Sequence, residues 1–257
     1  MSVILQGTLA SFLAGAMTAV GALPVLFGKK VTIKAQDTLL GFAAGVMLAA
    51  SFFSLIFPAI AIAEDLYGGV TAAAAVAVAG FILGVAAIAL ANEWVPHQHF
   101  VQGLQGPSGA GAHKVWLFVA AITIHNFPEG IAVGVGFAGG DTASAMALAV
   151  GIGLQNAPEG LAVAVALLAE GYGRVPSFLV AAATALVEPV GGFLGVGAVS
   201  LFQPLLPWAL TFAAGAMIYV ISHEIIPETH TRGYQKQATA GLTLGLALMM
   251  FLDVALG

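Results

Sequence analysis

The chain has 257 residues, of which 60% are hydrophobic and 7% charged, and its mean hydropathy is +1.02. That composition excludes a water-soluble core with a polar surface and leaves a polytopic membrane protein. Seven Lys plus Arg against twelve Asp plus Glu supply no basic face for phosphates and exclude nucleic acid as a partner; without cysteine, any metal must be held by N, O or thioether S.

Apolar stretches able to cross about 30 Å of hydrocarbon, roughly 20 residues each, lie at 3–27, 37–62, 70–93, 115–138, 143–169, 177–201, 205–226 and 237–256. The first is expected to stay in the mature protein, because Met1-Ser2 carries no basic n-region and Lys29-Lys30 follow the apolar run. Lys29, Lys30 and Lys34 follow span one, Lys114 precedes span four, Arg174 follows span five, and Arg232 and Lys236 follow span seven. All the basic residues therefore fall on one side, an outcome with a chance of about one in sixty if placement were random, and the positive-inside rule makes that side cytoplasmic. Both termini are then extracytoplasmic, with Glu64, Asp65, Asp141 and Asp253 on the outer side, where they would concentrate cations. A plasma-membrane location follows as the expectation.

Span three ends at Asn92-Glu93-Trp94, and the connector 94–113 carries Pro96, His97, His99, Pro107 and His113. It reads as a mobile cytoplasmic linker within a single transmembrane domain, 1–257. Spacings such as Gly41-x-x-x-Gly45, Gly80-x-x-x-Gly84 and Gly191-x-x-x-Gly195 predict close helix contact.

Spans four and five repeat one motif, His125-Asn126-Phe127-Pro128-Glu129-Gly130 and Gln155-Asn156-Ala157-Pro158-Glu159-Gly160. A carboxylate at the centre of a bilayer helix costs about 2.5–3.5 kcal/mol on insertion scales, so each is retained for a function. Positions i, i+1 and i+4 share a helix face, which groups His125, Asn126 and Glu129 on one helix and Gln155, Asn156 and Glu159 on the next. His125 falls about 15 Å from the start of its span, near the midplane. Pro128 and Pro158 are expected to kink their helices and free the carbonyls of Ile124 and Leu154. The matching motifs on oppositely running spans suggest inverted repeats around a midplane site. Span six adds Glu188-Pro189 at similar depth, and span seven ends with Ser222-His223-Glu224-Ile225-Ile226-Pro227-Glu228-Thr229-His230. His223 and Glu224 are the candidates for a release site at the cytoplasmic mouth. The predicted fold is an all-α polytopic membrane protein of eight transmembrane helices in a 3+2+3 inverted-repeat bundle.

The two motifs, with Val187-Glu188-Pro189 and His223-Glu224-Ile225-Ile226-Pro227-Glu228, resemble the ZIP (Zrt-, Irt-like) divalent metal transporters, in the bacterial branch with HNxPEG and QNxPEG signatures. The resemblance covers nearly the whole chain. It implies a binuclear site formed by His125, Asn126, Glu129, Gln155, Asn156, Glu159 and Glu188, with Met47 from span two. It also implies a homodimer and a four-helix unit that slides on a scaffold. Many members carry His or Asp where this chain has Gln155 and Asn156, which bears on how tightly the second metal is held. No prosthetic group is expected. A shell of His, Glu, amide and thioether without Cys suits Zn²⁺ and also Cd²⁺, Fe²⁺, Mn²⁺ or Co²⁺, and does not suit Cu(I). Two rivals remain: a passive metal-selective channel, which shares every ligand, and an intramembrane metalloenzyme. The enzyme fits poorly because position 227 is Pro where H-E-x-x-H needs a second His.

Overall fold

The computed structural model describes residues 1–28, 31–94, 97–99, 103–105 and 114–256. Lys29, Lys30, Pro96, Pro107 and His113, used above for orientation and for the connector, lie outside the described residues. Of Asn92, Trp94, His97, Gln98, His99 and Lys114 only the backbone is described.

Among the described residues eight helices are long and apolar enough to cross a membrane. They are α1 Val3–Leu26, α2 Ile33–Tyr67, α3 Val70–Trp94, α4 Lys114–Ala138, α5 Thr142–Ala169, α6 Arg174–Leu201, α7 Gln203–Thr229 and α8 Gln235–Leu256. The ends follow local chemistry. Ser2, Thr32 and Asp141 each place a side-chain oxygen on a backbone N–H of the first turn of α1, α2 and α5. Between α4 and α5 the chain reverses through Gly140 at φ 86°, a backbone conformation that side-chain-bearing residues resist. The all-helical expectation needs one small amendment within the connector, where β1 His97–His99 pairs antiparallel with β2 Gly103–Gln105.

The distribution of polarity is inverted relative to a soluble protein. Leu201 is 90% exposed and Val254 77%, whereas Glu129, Gln155 and Glu188 are fully buried. Lipid is the solvent that such a surface matches, and the polar groups must find partners inside.

Helices pack as long pairs: α1 along α5, α4 along α6, α2 along α8 and α3 along α7. Glycine makes the seams close. A Cβ on Gly41 or Gly45 would overlap the backbone of α8, one on Gly84 the backbone of α7, and one on Gly191 the backbone of α4. Exchanging α1 with α6, α2 with α7, α3 with α8 and α4 with α5 carries each of these pairings onto another.

Helices α2 and α7 share a further irregularity. Each widens into a π-helical stretch, Ala50–Ile56 at mid-length in α2 and Ile221–Ile225 toward the end of α7, shortly before Pro58 and Pro227. A proline offers no N–H to the carbonyl four residues back, and a local i→i+5 register accommodates that loss. Helices α4 and α5 continue through Pro128 and Pro158, where the missing proline N–H leaves the carbonyls of Ile124 and Leu154 without their usual helical donor. Both helices are tightly packed two residues on, where Gly130 meets the backbone of Glu188 and Gly160 that of Thr18. The break comes in α6, between Thr184 and Val187. There Pro189 cannot bond the carbonyl of Ala185, and the N–H of Glu188 takes it at 3.0 Å.

The two ends of the bundle differ. At one, Arg174 lies against Gly28, Trp116 Nε1 donates to the Tyr172 hydroxyl at 2.7 Å, and Arg232 reaches Asp37. This is termed the basic end. At the other, Tyr67 donates to the carbonyl of Pro204 at 2.8 Å, and Asp141 and Ser144 share a cavity with Ser54.

Candidate metal centre

The motif faces of α4 and α5 turn toward each other and toward the break in α6. His125, Asn126, Glu129, Gln155, Asn156, Glu159 and Glu188 are all 0–3% exposed. Gln155 Nε2 donates to Glu129 Oε1, joining the two motifs across the helix pair. Asn156 Nδ2 donates to both carboxylate oxygens of Glu188, at 2.9 and 3.1 Å, and to the carbonyl of Ala14 at 3.0 Å. His125 Nε2 pairs with Glu224 Oε2 of α7. Glu224 thus lies against the motif of α4, one residue beyond its expected partner His223, whose ring packs on Tyr219 with centroids 4.9 Å apart. Met47 is buried in the core of α2, where its carbonyl accepts from Ser51 Oγ at 2.8 Å.

Helix α1 builds part of this centre, although the sequence reading passed over it. Ser11 Oγ donates to the Glu188 carbonyl at 2.7 Å and so holds the first turn after the break. Gly15 leaves the space that the Glu188 carboxylate fills, since a Cβ there would stand 3.0 Å from Cδ. Ser11, Gly15 and Thr18 recur at helical spacing in an otherwise apolar segment, which is the one signal available beforehand.

The arrangement leaves acceptors over. Asn126 Oδ1, Glu129 Oε2, Gln155 Oε1, Asn156 Oδ1 and both oxygens of Glu159 are buried and accept no hydrogen bond among the described residues. Each such atom costs about 1–3 kcal/mol, and in this group the oxygens outnumber the amide nitrogen left in the same state, Asn126 Nδ2. A cation satisfies oxygens where a neutral donor is lacking. Among the described residues no three His, Asp or Glu side chains stand close enough to hold an ion by themselves. Two of the carboxylates are engaged by the amide N–H groups of Gln155 and Asn156. Turning either amide about its last torsion would replace a donor with an acceptor oxygen, so both amides could serve as oxygen ligands. With one imidazole and no thiolate, the set fits a borderline or hard divalent ion.

Convergent buried polar side chains inside a lipid-facing bundle are a candidate ion site. The model of the family described as ZIP Zinc transporter matches residues 96–253. The chain is 45% identical over 252 residues to the zinc transporter GufA of Myxococcus xanthus, covering 98% of this chain and 99% of the relative. It is 50% identical over 243 residues to the zinc transporter ZIPB of Bordetella bronchiseptica, covering 94% and 78%. With the human zinc transporter ZIP11 the identity is 35% over 338 residues, covering 100% and 98%. This chain belongs to the ZIP family, and it is a transporter, not an enzyme.

Proposed function

We propose that the protein carries divalent transition-metal ions, Zn²⁺ foremost, across the plasma membrane into the cytoplasm through a binuclear centre at mid-membrane. The observation that carries this reading is the group of buried, donor-less oxygens shared between α4 and α5. His125, Gln155, Glu159 and Met47 form the nitrogen-richer position. Glu129, Glu188, Asn126 and Asn156 form the oxygen-rich one, within which Asn156 bridges the Glu188 carboxylate. Zn²⁺, Cd²⁺, Fe²⁺, Mn²⁺ and Co²⁺ all accept such ligands, and Zn²⁺ gains most from the imidazole.

The packing supports a division of labour. Helices α1, α4, α5 and α6 form one mutually packed set, and α2, α3, α7 and α8 the other. The His125–Glu224 contact joins the two sets at the centre itself. An ion taking His125 releases Glu224, which loosens α4 from α7 and frees one set to slide on the other. The symmetric pairing of helices fits a 3+2+3 inverted repeat, and a homodimer would hold the outer set still. The basic end then faces the cytoplasm and both termini lie outside.

Uptake of Zn²⁺ into sealed proteoliposomes, in competition with Cd²⁺, Mn²⁺, Fe²⁺ and Co²⁺, tests the reading. His125→Ala and Glu159→Ala are each expected to abolish high-affinity uptake, with no cleavage of added peptides by any variant. Wild-type uptake in either variant contradicts it. Accumulation against a gradient marks coupled transport; equilibration alone marks a channel.

A further inference from the structure

Beyond Glu224, α7 continues its polar face toward the basic end. Glu228 lies one turn on, roughly 6 Å along the axis, and is 7% exposed. Arg232, just past the helix end, folds back to pair with Glu228 and lies 3.6 Å from Asp37 of α2. Two buried carboxylates therefore share one guanidinium, and neither accepts a hydrogen bond among the described residues. His230 is turned elsewhere, with Nδ1 2.9 Å from the Ile226 carbonyl and Nε2 3.3 Å from Thr239 Oγ1.

Glu228 and Arg232 line a cavity of about 370 Å³ at the basic end, between α2 and α7 on one side and α4 and α5 on the other, and Asp37 is buried behind the guanidinium. Gln36, Glu228 and Arg232 are polar in the cavity wall; Leu40, Phe118 and Ala166 are apolar. The excess of carboxylate over guanidinium makes the position attractive to a divalent cation and unattractive to an anion. A guanidinium is weakly hydrated and always charged, so it can leave one carboxylate pair and return to it without a change of protonation.

We propose that Arg232 is a tethered cation holding an exit position for the transported ion. A divalent ion arriving from Glu224 takes the oxygens of Glu228 and Asp37 and displaces the guanidinium, whose return expels the ion into the compartment beyond. This rests on the metal-transport reading given above, and it adds a third ion position that is closed by the protein's own charge.

Counting Zn²⁺ bound per chain, by plasma mass spectrometry after equilibrium dialysis of the purified full-length protein, tests it. Arg232→Gln is expected to bind one Zn²⁺ more than wild type at the same free Zn²⁺, and adding Glu228→Gln is expected to return the count to the wild-type value. The extra ion should survive in a His125→Ala background. An unchanged count in folded Arg232→Gln overturns the proposal, as does an extra ion that persists without Glu228. Should Arg232→Gln fail to fold, Arg232→Lys carries the test. Its single point charge holds two carboxylates less well, so the extra ion should bind it as free Zn²⁺ is raised about tenfold over the wild-type condition; a wild-type titration would overturn the proposal. Failure of the mid-membrane reading shows separately, as wild-type Zn²⁺ counts in His125→Ala with Arg232 intact.

Discussion

Glu188 shows how a single residue is prepared for an ion. Its backbone is held by Ser11, its carboxylate is accommodated by Gly15, and the amide of Asn156 bridges both of its oxygens. Replacing one oxygen by NH₂ in Glu188→Gln keeps the shape and removes the charge from the oxygen-rich position alone. The variant is expected to retain one Zn²⁺ per chain, by plasma mass spectrometry, while uptake slows by an order of magnitude or more, on the scale of losing one charged ligand. Loss of all bound metal would show that the two positions are not separable. The motif carboxylates, amides and His125 were legible in the sequence because charge in an apolar run has few structural explanations. Ser11, Ala14 and Gly15 were not, since a hydroxyl, a backbone carbonyl and a missing side chain look in sequence like ordinary small-residue packing. The pairing of His125 with Glu224 was hidden for another reason: nearly one hundred residues separate them, and only the docking of α4 on α7 brings them together.

At the scale of elements, the spans and their glycine seams were legible from apolar length and small-residue spacing. The prolines were legible as lost N–H donors, but not the local helix type around each. Proline removes one N–H wherever it stands, yet the outcome depends on what holds the helix around it: continuous helix at Pro128 and Pro158, π-helical turns before Pro58 and Pro227, and a break before Pro189. The turn from α4 to α5 offers a test of element stability. Asp141 caps α5, and the Ser144 hydroxyl, with the N–H groups of Ser144 and Ala143, holds its carboxyl below the ordinary carboxylate range. A folded value depressed in this way means that the contribution is fully present above the ordinary carboxylate range and is lost as pH falls through the depressed value. Asp141→Ala is expected to cost about 0.5–1 kcal/mol at neutral pH, the low end of capping effects because the site is exposed. Thermal unfolding in detergent should show that difference at neutral pH and a smaller one in acid; a difference that grows in acid would contradict the assignment.

For the whole molecule, orientation is the property that turns a binding site into uptake. The basic end carries Arg174, Arg232 and Lys236, and the opposite end carries Asp141 and Glu64. With the basic end in the cytoplasm, a cysteine replacing Thr142 should react with an impermeant thiol reagent on intact cells, and one replacing exposed Gln235 should react only once the cells are opened. The reverse pattern would invert the direction of transport. The overall class was legible from composition alone, because an apolar exterior around a polar interior is what lipid demands of a carrier. The grouping of helices into two packed sets was not, since α1 joins α5 and α2 joins α8 across more than half of the chain.

The central claim is that His125 and the oxygens of α4 and α5 together hold the transported ion. X-ray absorption at the zinc edge, on the Zn²⁺-loaded protein, tests it most directly. The account predicts a shell dominated by N and O ligands at about 2.0–2.2 Å, with a sulfur contribution from Met47 and an imidazole contribution that disappears in His125→Ala. A spectrum unchanged by that substitution, with the same imidazole contribution, would place the bound zinc elsewhere and contradict the account.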